Sequence, residues 1–168
     1  MDESLKIRRL RDGDVSGVLC VINEAARAYK KVLPPHVYRE PQMTLQEFLE
    51  EARRIRFYLV EEKGNIIGVM GYEYVKDVAL IRHAYIKPEY QRRGIGSRLL
   101  HYLEVLIESE NRTSRLIIGT YTNAYWAVNF YRKHGYDPLL NHDATLRNYY
   151  GIPDVQRENS IALEKRIR

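Results

Sequence analysis

Residues 91–96, Gln-Arg-Arg-Gly-Ile-Gly, decide how this chain folds. They follow a predicted strand at residues 79–87 and precede a predicted helix at residues 97–108. Glycine lets an anion approach the backbone closely, and the free N–H groups of a first helical turn favour negative charge. Arg92 and Arg93 add positive charge beside these groups. The segment therefore predicts an anion-binding turn between a strand and a helix.

The spacing of the glycines excludes two common phosphate motifs. The dinucleotide motif G-x-G-x-x-G needs a third glycine at position 99, where the chain has Leu99. The motif G-x-x-x-x-G-K-[ST] occurs nowhere in the sequence. What remains is a Gln/Arg-x-x-Gly-x-Gly pattern that follows a strand.

Length and composition restrict the class of protein. A chain of 168 residues with 45% hydrophobic residues fits one globular domain, expected over residues 1–168. No apolar run approaches the length of a membrane span, and the acidic start at residues 1–4 lacks a secretory h-region. With Cys20 as the only cysteine, no intrachain disulfide is possible. We therefore predict a cytoplasmic protein with no membrane partner.

The net charge of +5 fits either an arginine-rich surface or attraction to a polyanion. Lys87, Arg92, Arg93 and Arg98 cluster around the turn, which places part of this charge where a phosphorylated cofactor would need it. No recognisable nucleic-acid motif is present. We expect no nucleic-acid partner.

The first half of the chain predicts a helical segment between strands. Residues 5–10 form a possible first strand, and Asp14 is a candidate cap for a helix that continues to about Lys31. Cys20 falls within this helix and is expected in the core. Thr44 and Glu47 form a capping box, which begins a second helix. The segment 34–43 is then a loop between the two helices.

Strands follow at residues 57–62 and 66–75, joined by a tight turn at 63–65. The strand before the anion-binding turn, the helix after it and a buried strand at 115–121 predict a right-handed βαβ unit with parallel strands. A helix at 124–134 ends at Gly135, and strands near Tyr136 and at 159–164 complete the chain. We predict an α/β domain with a mixed sheet of about seven strands and about four helices.

Two motifs at the right separation resemble the GNAT family, the acetyl-CoA-dependent N-acetyltransferases. One is the anion-binding turn itself. The other is Ala127-Val128-Asn129-Phe130-Tyr131-Arg132-Lys133-His134-Gly135-Tyr136, which is similar to the family pattern A-x-x-F-Y-x-x-x-G-F/Y. The resemblance is specific over residues 81–136. It implies a GNAT-type domain that binds acetyl-CoA (coenzyme A) where two strands splay apart.

The resemblance also assigns roles to residues. Backbone groups of Ala84, Tyr85 and Ile86 would meet the pantetheine arm, and the N–H of Ile86 would stabilise the carbonyl oxygen during attack. Tyr131 would protonate the leaving thiolate. The predicted cofactor-binding residues are Ala84, Tyr85, Ile86, Gln91, Arg92, Arg93, Gly94, Ile95, Gly96, Ser97, Asn123 and Tyr131. Asn123 lies one position further from Ala127 than the family pattern has it, and it could instead cap the helix.

The group that deprotonates the amine is left open. Two glutamates that some family members use are absent, because the chain has Leu80 at one of these positions and Ile118-Gly119 in the region of the other. Glu73 and His83 remain as candidates, either directly or through water. We favour direct transfer over an acetyl-cysteine intermediate on Cys20, and no metal is expected.

The acceptor is an amine whose identity stays open at this point. Residues 146–150, 157–159 and 161–163 resemble the closing segment of ribosomal-protein alanine N-acetyltransferases, in which paired tyrosines of a hairpin region line the peptide site. By that resemblance Tyr149 and Tyr150 would contact a protein N-terminus. A small amine such as a polyamine is the alternative, since Glu47, Glu50 and Glu51 could form an acidic patch. A non-catalytic acetyl-CoA-binding domain is a further alternative, and we expect a monomer or homodimer.

Overall fold

A computed structural model of the chain describes residues 4–167. The acidic start at residues 1–3 and the last residue, Arg168, lie outside this range. The strands are β1 (Leu5–Arg9), β2 (Arg56–Glu62), β3 (Asn65–Val75), β4 (Val78–Ile86), β5 (Arg115–Tyr121), β6 (Asp137–Pro138) and β7 (Ser160–Arg166). The α-helices are α1 (Val15–Ala26), α2 (Leu45–Glu51), α3 (Ile95–Glu110), α4 (Tyr125–Lys133), α5 (His142–Tyr149) and α6 (Asp154–Glu158).

The seven strands form one mixed sheet in the order β1-β2-β3-β4-β5-β7-β6. Neighbouring strands from β1 to β4 are antiparallel, β4 and β5 are parallel, and β7 is antiparallel to both β5 and β6. The predicted mixed α/β sheet and its parallel βαβ unit are therefore confirmed. Helix α3 makes the crossover between β4 and β5.

Apolar side chains cover both faces of the sheet. Leu99, Leu103 and Ile107 of α3 are fully buried against one face. On the other face, Val18 and Ile22 of α1 pack in a cluster with Phe48 of α2. Helices α1 and α3 carry their apolar residues at a spacing of three or four, which is why each presents one buried stripe to the sheet.

The structure differs from the predicted elements at several points. Helix α1 ends at Ala26 and continues as a 3-10 segment, Arg27–Lys31. Helices α5 and α6 add to the four that the sequence predicted. Cys20 was expected in the core and is exposed, because it lies on the outer side of α1. Asp14 stands at the first position before α1, but its carboxylate bonds Arg8 and the N–H of Arg11 and caps no helical N–H.

Strands β4 and β5 separate partway along their length. They pair only from Ala79–Leu116 to Ile81–Ile118, although β4 continues to Ile86 and β5 to Tyr121. Beyond the last pair the two strands leave a gap in the middle of the sheet. This fork is the splay that the sequence alone did not show.

Candidate functional site

The turn before α3 has the backbone geometry of an anion site. Gly94 precedes the helix with φ of 76°, a left-handed conformation that other residues adopt only with strain. A Cβ atom on Gly96 would stand 3.4 Å from the Phe130 ring. The N–H groups of the first turn, from Ile95 to Ser97, have no acceptor within the helix. They are therefore available to an anion, at the positive end of a 16-residue helix.

A cavity of about 800 Å³ extends from this turn to the fork between β4 and β5. Of the residues singled out in the sequence, it is lined by His83, Ala84, Tyr85, Ile86, Gln91, Arg92, Gly94, Ile95, Gly96, Ser97, Tyr131 and Tyr150. The fold thus brings together two motifs that lie about 30 residues apart in the sequence, because α3 returns the chain to the parallel strand.

Four of the predicted site residues lie outside this lining. The Arg93 guanidinium is 5.1 Å from the centre of the Tyr90 ring, and Asn123 Nδ2 donates to the carbonyl of Val32 at 3.4 Å. Tyr149 donates its hydroxyl to an Asp77 carboxylate oxygen at 2.9 Å. Glu73 is buried in ion pairs.

The paired tyrosines also differ in setting from the hairpin that the sequence suggested. Tyr149 is the last residue of α5 and Tyr150 follows it. The Tyr150 hydroxyl lies 3.3 Å from the carbonyl oxygen of Ile81 and 3.2 Å from that of Ile117. It therefore donates to the backbone of β4 and β5 at the point where these strands separate.

The N–H of Ile86 faces the fork. Lys87 N–H donates to the carbonyl of Ile67 at 2.9 Å, so Ile86 opposite Gly68 occupies a non-hydrogen-bonded position of the antiparallel pair. Its N–H and C=O point away from β3. The Gln91 side chain donates to that C=O at 3.0 Å. The N–H consequently points to the side where β5 no longer pairs with β4.

Tyr131 lies on α4 with its ring almost fully buried beside the cavity. Burial raises the pKa of its hydroxyl far above the ordinary value, and the neighbouring Tyr29 and Tyr150 add to this effect. The hydroxyl therefore keeps its proton throughout the neutral and mildly alkaline range. It can act as a proton donor but not as a base.

Strand β4 contains a bulge at the cavity. Val69 pairs with Tyr85 and Gly71 pairs with Arg82, so β4 holds one more residue than β3 in this interval. His83 lies in the bulge with φ of 55°. Its ring packs on Phe57 and its Nε2 is 2.7 Å from a carboxylate oxygen of Glu51.

Two glutamates balance the charge of Arg82 beside this bulge. The Arg82 guanidinium is 3.1 Å from Glu73 and 3.5 Å from Glu51, and Glu73 also pairs with Arg54 at 3.3 Å. Of the two proton acceptors that the sequence suggested, His83 lines the cavity, whereas Glu73 has both carboxylate oxygens occupied by arginines. Glu51 was not singled out for this position, since it lies 32 residues away from His83 in sequence.

Aromatic and basic side chains form part of the remaining wall. Tyr29 stacks on Trp126 and meets Tyr121 edge to face, and all three rings line the cavity. Arg82, Arg92 and Lys133 are the cationic lining residues, and within residues 4–167 no aspartate or glutamate lines it. Tyr29 belongs to the 3-10 segment after α1, and the loop before α2 contributes Gln42.

Over residues 4–167, no group of histidine, cysteine, aspartate and glutamate side chains could hold a metal ion. None of the helices in this range combines the length and apolar character needed to cross a bilayer.

Known structures share this fold. The PaiA N-acetyltransferase of Thermoplasma acidophilum, solved with coenzyme A, is 20% identical with a TM-score of 0.73, over 97% of this chain and 99% of that one. The ribosomal-protein-S18-alanine N-acetyltransferase of Escherichia coli is 18% identical with a TM-score of 0.72, over 97% and 94%. An acetyltransferase of Streptococcus agalactiae is 16% identical with a TM-score of 0.77, over 99% and 100%.

Comparison with curated protein sequences gave no match. Residues 53–138 match the family model of the acetyltransferase (GNAT) domain. This match covers just over half of the chain and includes the turn before α3, the fork and α4. The chain therefore belongs to the GNAT family of acetyltransferases, whose acetyl donor is acetyl-CoA.

Proposed function

We propose that this protein transfers the acetyl group of acetyl-CoA to a primary amine by direct attack. One observation carries the proposal: a single cavity joins the anion-binding turn to the Ile86 N–H and to the Tyr131 hydroxyl. Residues 1–168 would act as one domain in this reaction.

The residues at the turn fit the donor. When bound, acetyl-CoA supplies an acetyl group activated as a thioester. The N–H groups from Ile95 to Ser97 and the guanidinium of Arg92 would hold its diphosphate. Ala84, Tyr85 and Ile86 would contact the pantetheine arm in the fork. The glycine conformation at Gly94 leaves open space, with no atom within 4 Å of a Cβ there.

Two groups of the chain would assist the transfer. The Ile86 N–H would stabilise the negative charge that develops on the carbonyl oxygen. Tyr131 would give its proton to the sulfur as the carbon–sulfur bond breaks. Its buried, protonated state at neutral pH suits this role.

Charge around the cavity favours a protein N-terminus or another monoamine over a polyamine. The proposed acidic patch is neutralised, since Glu47 pairs with Arg39, Glu50 with Arg53, and Glu51 with Arg82. A polycation would also meet cationic lining residues with no free carboxylate. The fold similarity to the ribosomal-protein-S18-alanine enzyme agrees with a peptide acceptor, although Tyr149 points away from the cavity.

A panel of amines would test the proposal. The protein would be incubated with acetyl-CoA and peptides with different N-terminal residues, arylalkyl monoamines, or spermidine, and thiol release would be followed. We expect release with a peptide or monoamine and none above background with spermidine. Coenzyme A binding by calorimetry without thiol release from any amine would instead support the non-catalytic alternative. Absence of coenzyme A binding by folded protein would refute the assignment of the turn.

A further inference from the structure

The bulge in β4 explains an unusual arrangement of side chains. In a regular strand, consecutive side chains point to opposite faces. Arg82 and His83 are consecutive, yet both contact the same carboxylate of Glu51, at 3.5 and 2.7 Å. The extra residue and the positive φ of His83 make this possible. A left-handed histidine is costly, so the surrounding contacts must hold it in place.

Helix α2 positions Glu51 beside this bulge. Thr44 accepts a hydrogen bond from the N–H of Glu47, and Glu47 accepts one from the N–H of Thr44. Phe48 anchors the helix in the core against Phe57. Glu51 is the last residue of the helix, with its side chain 18% exposed. A carboxylate in this position fixes the orientation of the His83 imidazole by accepting a hydrogen bond from a ring N–H.

We propose that Glu51 is a positioning residue that holds His83 with Nε2 as the donor, so that Nδ1 accepts a proton from the acceptor amine. This inference rests on the proposed function. In the step, the amine nitrogen bonds to the acetyl carbon and its proton goes to Nδ1 of His83. The carbon–sulfur bond breaks, and the sulfur takes the proton of Tyr131. His83 is then the catalytic base and Glu51 acts through it.

Electrostatics around the imidazole suit this role. Burial lowers the pKa of His83, the hydrogen bond that His83 donates to Glu51 opposes the decrease, and the net pKa lies below 6.5. His83 is therefore neutral at pH 7 and can accept a proton. Burial would raise the pKa of Glu51, but His83, Arg82 and Arg54 lower it overall, so Glu51 is ionised.

The elements around His83 differ in the charge that they bring to the imidazole. Strand β2, whose Phe57 packs on the ring, carries Arg56, Glu61 and Glu62, which bond Glu110, Arg8 and Ser4. Helix α2 contributes Glu51, β4 contributes Arg82, and β3 contributes Glu73, behind which Arg54 lies. Helix α1 carries only Glu24, whose carboxylate is 4.0 Å from Cys20 Sγ, and β5 carries only Arg115, which pairs with Asp77 and Glu164. Among residues 4–167, Glu51 is thus the carboxylate that contacts the imidazole.

Kinetics of two variants would test the proposal. For wild type, kcat with the best amine of the panel should fall as pH decreases through the His83 pKa. In Glu51→Gln the stabilisation of the imidazolium is lost, so this limb should move to lower pH by about half a unit or more, and the plateau should fall about threefold to tenfold. His83→Asn keeps a residue that tolerates positive φ and should lose about 100-fold in kcat. The double variant should match His83→Asn alone.

Glu50→Gln is the matched control, because Glu50 lies beside Glu51 on α2 with its side chain 64% exposed. It should leave kcat and its pH dependence at wild-type values. A purely structural Glu51 would lower stability or raise KM without moving the acid limb. That result, or a pH profile of Glu51→Gln equal to that of Glu50→Gln, overturns the proposal.

A measurement on the free protein separates this inference from the proposed function. Nitrogen-15 NMR of labelled histidines, with His83 assigned by its absence in His83→Asn, reports both tautomer and pKa. We expect the Nε2–H tautomer in wild type and a lower His83 pKa in Glu51→Gln. An Nδ1–H tautomer, or an unchanged pKa, rejects the role of Glu51 whether or not an amine is acetylated. Failure of thiol release across the panel rejects the proposed function instead.

Discussion

At the residue scale, the two neighbouring arginines of the anion-binding turn have different surroundings. Arg92 lines the cavity, whereas Arg93 does not and instead lies over the ring of Tyr90, a lining residue. We expect Arg92→Glu to weaken coenzyme A binding about tenfold or more, because a charge beside the diphosphate is reversed. Arg93→Glu should cost less, since a more distant exposed charge is screened by salt. Calorimetric titration of both variants checks this, and equal losses would contradict the assignment.

The Tyr131 hydroxyl gives a second residue-scale prediction. Tyr131→Phe should lower kcat about 100-fold and leave the affinity for coenzyme A unchanged, because only the proton donor is removed. Since its pKa is raised, Tyr131 should produce no alkaline limb in the wild-type kcat profile up to about pH 10. Full turnover of the variant across this pH range would show that another group protonates the thiolate.

Site residues differ in how far the sequence reveals them. The turn and Tyr131 belong to local sequence patterns. A parallel βαβ unit brings these two patterns together, so their proximity could be predicted from the sequence. The contact of Glu51 with His83 and that of Tyr150 with β4 join residues far apart in sequence. The residue pattern within 45–51 or 146–150 therefore does not predict either contact. The bulge at His83 was equally hidden, since a histidine in a strand pattern gives no sign of positive φ.

At the element scale, α5 and the residue after it stabilise the point where β4 and β5 separate. Leu146 packs under β4 and β5 with Val78, Leu80 and Ile117, and the Tyr150 hydroxyl donates to the carbonyls at the end of their pairing. The sequence did not predict this helix, because its few apolar residues are spread over only two turns. The predicted strand pairing is nevertheless confirmed, since residues 115–121 form a strand parallel to β4.

Tyr150→Phe tests the importance of this contact. Loss of the hydroxyl removes a part-buried donor that the carbonyls of Ile81 and Ile117 share, so the free energy of unfolding should fall by about 1–2 kcal/mol. The KM for acetyl-CoA should rise as the fork loosens. Tyr149→Phe removes an exposed bond to Asp77 and should change unfolding by less than about 0.5 kcal/mol. Urea denaturation and steady-state kinetics on both variants provide the measurement, and indistinguishable variants would contradict the role of Tyr150.

At the scale of the whole molecule, carboxylates make stability depend on pH. Arg8 lowers the pKa of Asp14 from 3.8 to about 2, and Arg39 lowers the pKa of Glu47. A depressed folded pKa contributes stability that is complete above the unfolded value and is lost as pH falls through the folded value. We therefore expect the free energy of unfolding to decrease between about pH 4 and pH 2.

Urea denaturation across this range checks the expectation, with Asp14→Asn as the informative variant. It should be less stable than wild type at pH 7 and should lose less stability on acidification, because the Arg8 pair is already gone. Asp12→Asn, a change at an exposed neighbour, should retain the wild-type pH dependence. An acid loss in Asp14→Asn as large as in wild type would contradict this account.

The fork between β4 and β5 depends on residues that a fragment limited to the family match would lack. The family match ends at residue 138, so it omits both Tyr150 and β7, which pairs with β5 over seven residues. An excised fragment of residues 53–138 would retain the glycine turn and Tyr131, yet leave β5 as a bare sheet edge prone to aggregation. Grafting this fragment into a relative would consequently carry over the donor contacts without the scaffold that keeps the cleft open.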